Sequence, residues 1–249
     1  MDATTSTHRN HSAEPKEPGS ALRIILNGAG GRMGARIAAC ADGDRGIRIC
    51  HALGRGQAVE IAPGGADVVV DFSSPAGTVR AAELAEVVGC ALLVGTTGLT
   101  PESVRAVGRA SARVPAMIAP NTSLGVAVAR RLVEDAARLL RGFDTDIVET
   151  HHARKADAPS GTAKALAEAV GRGRGNALDP AKIHAIRAGD VVGQHVVCFA
   201  GPGEVLRISH EATGRDLFAL GALRMARWLA SRGPGLHAPD DWFADFCRD

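Results

Sequence analysis

The sequence predicts an α/β fold in two parts, a parallel-sheet domain followed by a smaller domain of helices on a mixed sheet. Three observations carry this reading. A short apolar run at 22–27, LRIILN, enters a glycine turn, Gly28-Ala29-Gly30-Gly31-Arg32-Met33-Gly34, which opens a helical stretch at 35–41. Short apolar runs then alternate with helical patterns as far as residue 119, the signature of a buried parallel sheet with crossover helices. Beyond a long amphipathic helix at 124–140 the pattern changes to β-like runs separated by turn residues, which suits a second, separate sheet.

Residues 1–20 are polar, hold two prolines and show no apolar period, so a disordered tail is expected there. The strand, glycine turn and helix that follow form the first unit of a Rossmann-type dinucleotide fold. Glycines let the backbone approach a pyrophosphate, and the helix N-terminus faces its charge. A literal G-x-G-x-x-G fails because Met33 fills its last position; the spacing that fits is G-x-x-G-x-x-G over Gly28, Gly31 and Gly34. The second strand, 47–53, ends in Leu53-Gly54-Arg55. An acidic residue usually binds the ribose 2′-hydroxyl at this point. Here Gly54 offers none and Arg55 offers a cation for a 2′-phosphate, so the cofactor is NADPH or NADH with NADPH favoured.

A third strand is expected at 66–72, with Pro75 in the first turn of a helix at 76–88. A fourth at 90–94 runs into Gly95-Thr96-Thr97-Gly98. Thr100 caps the next helix, and a fifth strand at 114–119 ends in Pro120-Asn121-Thr122-Ser123. Both loops fall at carboxyl ends of strands, where open α/β sheets bind ligands.

The second part centres on the stretch 146–164, DIVETHHARKADAPSGTAK. Residues 146–150 alternate as a strand. A loop then brings His151 and His152 close to Arg154 and Lys155. Ser160 is placed to cap a helix at 163–170, leaving the N–H groups of Gly161, Thr162 and Ala163 free for an anion. One loop thus carries imidazoles that titrate near neutral pH, two to three cations and an anion cradle, an outfit for a small acidic substrate that must accept a proton. A Gly/Arg-rich loop at 171–179, strands at 183–187, 190–200 and 204–210, a helix at 217–230 and a polar end containing Trp242 complete the chain. With the strand before His151 these make a four-stranded sheet. The expected division is 21–123 with 215–249 for the dinucleotide-binding domain and 124–214 for substrate binding and oligomerisation.

Composition narrows the function. Over 249 residues the net charge is +2, with no long Lys/Arg run, which argues against nucleic acid or a membrane surface as partner. Aromatic residues make up 3 % and there is no Tyr, so base-stacking platforms are not expected. The five cysteines are scattered without C-x-x-C spacing and read as reduced thiols of a cytoplasmic protein. No apolar run nears the ~18 residues of a membrane span, and no metal-ligand spacing is present.

The run E-T-H-H-x-x-K-x-D-A-P-S-G-T-A from Glu149 to Ala163 resembles the signature of the 4-hydroxy-tetrahydrodipicolinate (dihydrodipicolinate) reductase family of bacterial lysine biosynthesis. G-A-G-G-R-M-G is similar to that family's cofactor loop, and G-T-T-G and A-P-N-x-S resemble its nicotinamide-side loops. The resemblance covers nearly everything after the tail. It implies NAD(P)H-dependent reduction of 4-hydroxy-tetrahydrodipicolinate, a small dicarboxylate, by a homotetramer built on the middle sheet. It also implies a cofactor site of Gly28, Gly31, Arg32, Met33, Gly34, Arg55, Gly95, Thr96, Thr97 and Asn121. By position in the motif His151 and Lys155 are catalytic, and His152, Ser160, Gly161, Thr162 and Arg215 bind substrate. Which histidine protonates is left open by the sequence. The chain departs from the family at Gly54, where an acidic residue is common, at Thr122, where Phe is usual, and in two shortened loops.

Two other classes are compatible with the residues: another Rossmann oxidoreductase with a small acidic substrate, and a non-enzymatic dinucleotide-binding regulator. The first lacks a cysteine in a Gly-rich loop, and intact His151, Lys155 and Ser160-Gly161-Thr162 weigh against the second.

Overall fold

The structure, a computed structural model, describes residues 20–57 and 60–248; the expected N-terminal tail lies outside the described residues except for Ser20. Six strands, β1 (Leu22–Asn27), β2 (Ile47–Leu53), β3 (Val68–Asp71), β4 (Ala91–Val94), β5 (Pro115–Ile118) and β10 (Gly235–His237), form an all-parallel sheet in the order β10-β5-β4-β3-β1-β2. The order reverses beside β1: the chain steps to β2 on one side and to β3 on the other. That switch point opens a crevice above the carboxyl ends of β1 and β3. β3 and β4 are buried along their full lengths, as expected of strands covered on both faces.

Crossover helices α1 (Arg32–Asp42), α2 (Pro75–Val88) and α3 (Pro101–Ala110) cover the sheet with α6 (Asp216–Leu229). Ser74 and Thr100 accept from the N–H of Gly77 and Ser103, fixing the starts of α2 and α3. One core cluster packs Ile24, Leu26 and Val70 against Ile37 of α1 and Leu223 of α6; the other packs Ile25, Val69 and Leu92 against Ala82 of α2 and Val107 of α3.

The remaining strands, β6 (Asp144–His151), β7 (Ile183–Arg187), β8 (Gln194–Gly201) and β9 (Glu204–Glu211), form the mixed sheet β7-β6-β8-β9, with β6 and β7 parallel and the other pairs antiparallel. Helices α4 (Leu124–Leu139) and α5 (Gly161–Arg174) cover one face of it. Ile147, Val197 and Phe199 pack there against Val133, Ala137, Leu166 and Val170.

Three local expectations give way to tertiary contacts. α5 runs on to Arg174 where a loop was expected from 171. Gly173 lets the helix lie against α4, since a Cβ there would sit 2.3 Å from the Glu134 carbonyl oxygen, and Arg174 reaches the Phe143 carbonyl and the Thr145 hydroxyl. β8 begins at Gln194 rather than 190, because the Ala188 and Ala153 N–H groups close a turn with the His151 and Gly189 carbonyls. The C-terminal stretch adds an edge strand, β10, and α7 (Pro239–Phe246), whose Trp242 joins the core. Among the described residues no helix is long and apolar enough to cross a membrane. Cys40, Cys50, Cys90, Cys198 and Cys247 are unpaired.

Candidate functional site

The glycine turn sits where the sheet topology opens. Gly28 has φ +88°, and Gly34 packs under the turn: a Cβ on Gly34 would lie 2.2 Å from the Gly28 carbonyl oxygen, which only a missing side chain avoids. Gly31 caps α1 without a side-chain acceptor, so the first N–H groups of the helix are free, and a Cβ on Gly30 would meet nothing within 4 Å. An open, donor-rich cradle at a helix start fits a pyrophosphate. A cavity of about 270 Å³ collects Gly28, Gly31, Gly54, Arg55 and Ser74 with a second cation, Arg80 of α2. An adjoining cavity of about 680 Å³ shares Asn27 and Arg80 and has Leu53, Ile61 and Leu84 in its walls.

A cleft of about 660 Å³ opens on the other side of the turn. It brings together Arg32 and Met33, the Gly95-Thr96-Thr97 loop, Thr122, and two residues from far along the chain, Lys155 and Arg215. Asp71, fully buried at the end of β3, holds the loops around it: it accepts from Asn27 Nδ2 at 2.7 Å, Thr78 Oγ1 at 2.6 Å and Thr96 Oγ1 at 2.8 Å, and it also meets the Ser73 hydroxyl. Thr122 is buried and donates to the Phe218 carbonyl at 2.7 Å, tying the turn after β5 to α6. A phenylalanine could not make that bond. Asn121 donates to the Thr162 hydroxyl.

The strand β6 decides where the histidine pair goes. Side chains alternate along it, so Thr145, Ile147, Glu149 and His151 share the face that α4 and α5 cover, and all four are buried. His151 is therefore the last residue of a strand, buried, and not part of a solvated loop. His152 follows the end of the strand and is part-exposed, with its Nδ1 buried and without a hydrogen-bond partner among the described residues. Lys155 lies over Asp157, Nζ to Oδ1 2.7 Å, and Arg154 pairs outward with Asp190 at 2.8 Å.

Around His151 stands a cluster that the sequence reading did not assemble. Glu149 is fully buried, and one of its oxygens meets His151 Nδ1. Its other oxygen accepts from Arg187 of β7 at 2.9 Å and from the Ser160 N–H at 3.2 Å. Arg187 also donates to the Asp157 carbonyl at 2.6 Å. His195 of β8, directly opposite Glu149 in the ladder, lies 3.1 Å from Ser160 Oγ, and its ring stands edge-on to His151 with centroids 5.0 Å apart. Ser160 caps α5 through the Ala163 N–H at 3.1 Å, as expected. Gly161 and Thr162 form the first turn of α5.

Burial alone would raise the Glu149 carboxyl; the contacts from Arg187, His151 and the Ser160 N–H outweigh it and hold Glu149 below its ordinary range. Burial lowers His151, with the charges of Lys155 and Arg187 pushing the same way and Glu149 pushing back. Burial, then the neighbouring His151, take His195 down to about 4, so it is neutral at pH 7. Glu149, His151 and His195 bring ligand-capable atoms within 4.8 Å of one another. Both oxygens of Glu149 already take part in hydrogen bonds, and Arg187 places a positive charge beside the trio.

Most of the predicted residues fall into three groups, while Gly34 packs beneath the glycine turn and His152 lines neither the cleft nor the smaller cavity. Gly31, Arg32, Met33, Gly95, Thr96, Thr97, Lys155 and Arg215 share the cleft, and Gly28, Gly31 and Arg55 share the smaller cavity. His151 and Ser160 meet in the buried cluster, next to Gly161 and the Asn121–Thr162 pair. Glu149 stood in the motif without a role, and period-two alternation from Ile147 could have turned it toward His151. Arg187 and His195 carry no such signal, since strand pairing brings them in.

The family model described as "Dihydrodipicolinate reductase, N-terminus" matches residues 22–122, and "Dihydrodipicolinate reductase, C-terminus" matches 125–242. This chain belongs to the dihydrodipicolinate reductase family. It is 43 % identical to the 4-hydroxy-tetrahydrodipicolinate reductase of Stenotrophomonas maltophilia over 88 % of this chain and 97 % of that one. It is 38 % identical to the enzyme of the same name from Anaeromyxobacter dehalogenans, over 86 % and 95 %. Among solved structures, a dipicolinate-bound dihydrodipicolinate reductase from Paenisporosarcina sp. TG-14 superposes with a TM-score of 0.71, covering 88 % of this chain and 97 % of that one at 20 % identity, which speaks for the fold. The dihydrodipicolinate reductases are oxidoreductases that use a pyridine nucleotide on a dicarboxylate.

Proposed function

We propose that this chain reduces 4-hydroxy-tetrahydrodipicolinate to tetrahydrodipicolinate with NAD(P)H, in the diaminopimelate route to lysine. The observation that carries the reading is the cleft in which two distant cations, Lys155 and Arg215, face the glycine turn and the Gly95-Thr96-Thr97 loop. Cations for a dianion and a cradle for a dinucleotide open on one space.

Bound in that space, the reduced nicotinamide supplies hydride. The residues of the chain do the rest. Free N–H groups at the start of α1 hold the pyrophosphate, and Arg55 meets the 2′-phosphate, which favours NADPH over NADH. Met33, Thr96, Thr97 and Asn121 line the nicotinamide side. Arg215, His152 and the first turn of α5, with Ser160, Gly161 and Thr162, hold substrate carboxylates. Negative charge that builds on the ring is met by Lys155 and quenched by a proton from His151. An imidazole suits this role because it exchanges a proton near neutral pH.

Residues 21–123 with 215–249 act as the dinucleotide domain and 124–214 as the substrate domain. The chain works in the cytoplasm as a homotetramer joined through the four-stranded sheet; Ile186, Val205 and Leu206, exposed on its outer strands, support an interface there. The deciding assay is NADPH oxidation with the condensation product of pyruvate and aspartate semialdehyde. Substrate-dependent loss of the reduced nucleotide is expected. Oxidation that is independent of that substrate would overturn the reading.

A further inference from the structure

The reading above gives His151 a proton to deliver, and it leaves unexplained why a carboxylate is buried beside it. Glu149 is inaccessible to solvent, and its charge is compensated from two other segments, by Arg187 on β7 and the Ser160 N–H at the start of α5. A buried carboxylate costs several kcal/mol in desolvation unless it is paired, and a well-packed apolar residue would fill the same space without that cost. Of the two imidazoles beside it, His151 is the one that Glu149 holds, through Nδ1, while His195 bonds the Ser160 hydroxyl.

We propose that Glu149, clamped by Arg187 and the Ser160 N–H, is the positioning residue that fixes His151 with its proton on Nδ1, so that Nε2 is the atom that delivers the proton. The inference rests on His151 being the donor. When Nε2–H breaks, its electron pair stays on the ring and the proton goes to the substrate. The product is a neutral imidazole protonated on Nδ1, the tautomer that Glu149 already accepts from, so no ring flip is needed in the cycle.

Two further features agree. The Nε2 side of the ring faces Gly193, just before β8: a Cβ built there would stand 3.0 Å from Nε2 and 3.3 Å from Cδ2. Any side chain at 193 would therefore press on the edge of the ring that carries Nε2. The groups facing His151 from every neighbouring element are Glu149 on its own strand, Arg187 on β7, His195 on β8 and Lys155 on the following turn. Arg187 and Lys155 oppose a charged ring, and His195 stays neutral. Glu149 alone favours it.

Nitrogen-15 NMR of histidine-labelled wild-type protein, with the His151 signal assigned by its loss in His151→Gln, reads the tautomer without reference to activity. The Nδ1–H form is expected in the neutral ring, and the Nε2–H form would overturn the proposal. Glu149→Gln keeps the shape but removes the charge and replaces one of the two accepting oxygens with a donating NH2, so it cannot accept from Arg187, the Ser160 N–H and His151 Nδ1–H together. It should lower kcat by about 10-fold or more, change KM by less than about 3-fold, and leave NADPH affinity intact. Because a protonated donor is needed, activity falls as pH rises; Glu149 holds the His151 proton, so without it that descending limb should move to lower pH. Glu149→Asp should lie between Gln and wild type. A Glu149→Gln enzyme with the wild-type pH profile would sink the proposal, and if that variant fails to fold, the wild-type tautomer decides alone. Should His151→Gln itself keep its kcat, the donor assignment fails. An inert Glu149→Gln beside an inactive His151→Gln would sink only the role given to Glu149.

Discussion

The side-chain amide of Asn121 donates to the Thr162 hydroxyl at 3.0 Å, while its own oxygen accepts from the Ser123 N–H at 2.9 Å. This bond joins the ligand edge of the six-stranded sheet to the first turn of α5 on the other sheet. Thr162 thus stands between the nicotinamide-side loop and the amides proposed to hold a carboxylate. Pyridine-2,6-dicarboxylate, a planar dianion, should inhibit competitively against substrate. Thr162→Val keeps the shape and removes one hydroxyl. A hydrogen bond contributes about 0.5–1.5 kcal/mol, so the inhibition constant should rise roughly 2- to 10-fold. Steady-state inhibition measures it, and a dianion that does not inhibit at millimolar concentration would undercut the substrate assignment.

Removing the proton donor should act in the transition state. His151→Gln should lower kcat by about 10²–10⁴-fold with little change in KM. Lys155→Ala should lower kcat and raise KM together, because Lys155 meets both the substrate carboxylate and the developing charge. If both serve one step, the double variant should be far less impaired than the product of the single effects. Kinetics on all three, with NADPH binding as control, tests this. A near-normal kcat in His151→Gln would move the acid to His152 or a bound water.

Cofactor choice should rest on the small cavity holding Arg55. Arg55→Ala removes the cation opposite a 2′-phosphate while Gly54 still provides no carboxylate for a 2′-hydroxyl. KM for NADPH should rise more than KM for NADH. Equal effects on both nucleotides would show that Arg55 does not read the phosphate.

Acidification should destabilise the fold through His195. Its folded-state value is about 4 against an ordinary 6.5, so below pH 6.5 the unfolded chain binds a proton that the native state refuses. Stability therefore falls as pH drops from 6.5 to about 4, by no more than about 3 kcal/mol from this residue. Glu149, held below its ordinary range, acts in the same direction at lower pH. His195→Gln, which still reaches Ser160, should show a smaller drop in Tm between pH 7 and pH 5 than wild type. Equal drops would mean that His195 is protonated at little cost in the native state.

Much of this was legible in the residues. The strand, glycine turn and helix at 22–41 and the caps at Thr100 and Ser160 are local signals, and the structure places them as read. The glycine turn, Arg55, Lys155 and Arg215 were nominated from motif positions, and the fold brings them to two adjoining spaces. The end of the chain was misjudged because β10 has three residues and exists only as an edge partner for β5. The length of α5 was misjudged because two glycines and two arginines read as a loop until α4 is there to pack against.

The sequence alone determined the α/β class, the nucleotide turn and the identity of the chemical groups, because each depends on contacts within a few residues. Only the tertiary structure decided the surroundings of those groups. Arg187 reaches Glu149 across 38 positions and His195 reaches Ser160 across 35. Such meetings are set by strand order and register, in which β7 pairs parallel and β8 antiparallel with β6. A one-residue slip in either ladder would turn Arg187 or His195 to the opposite face, and no pattern within a single strand fixes the register of its neighbour.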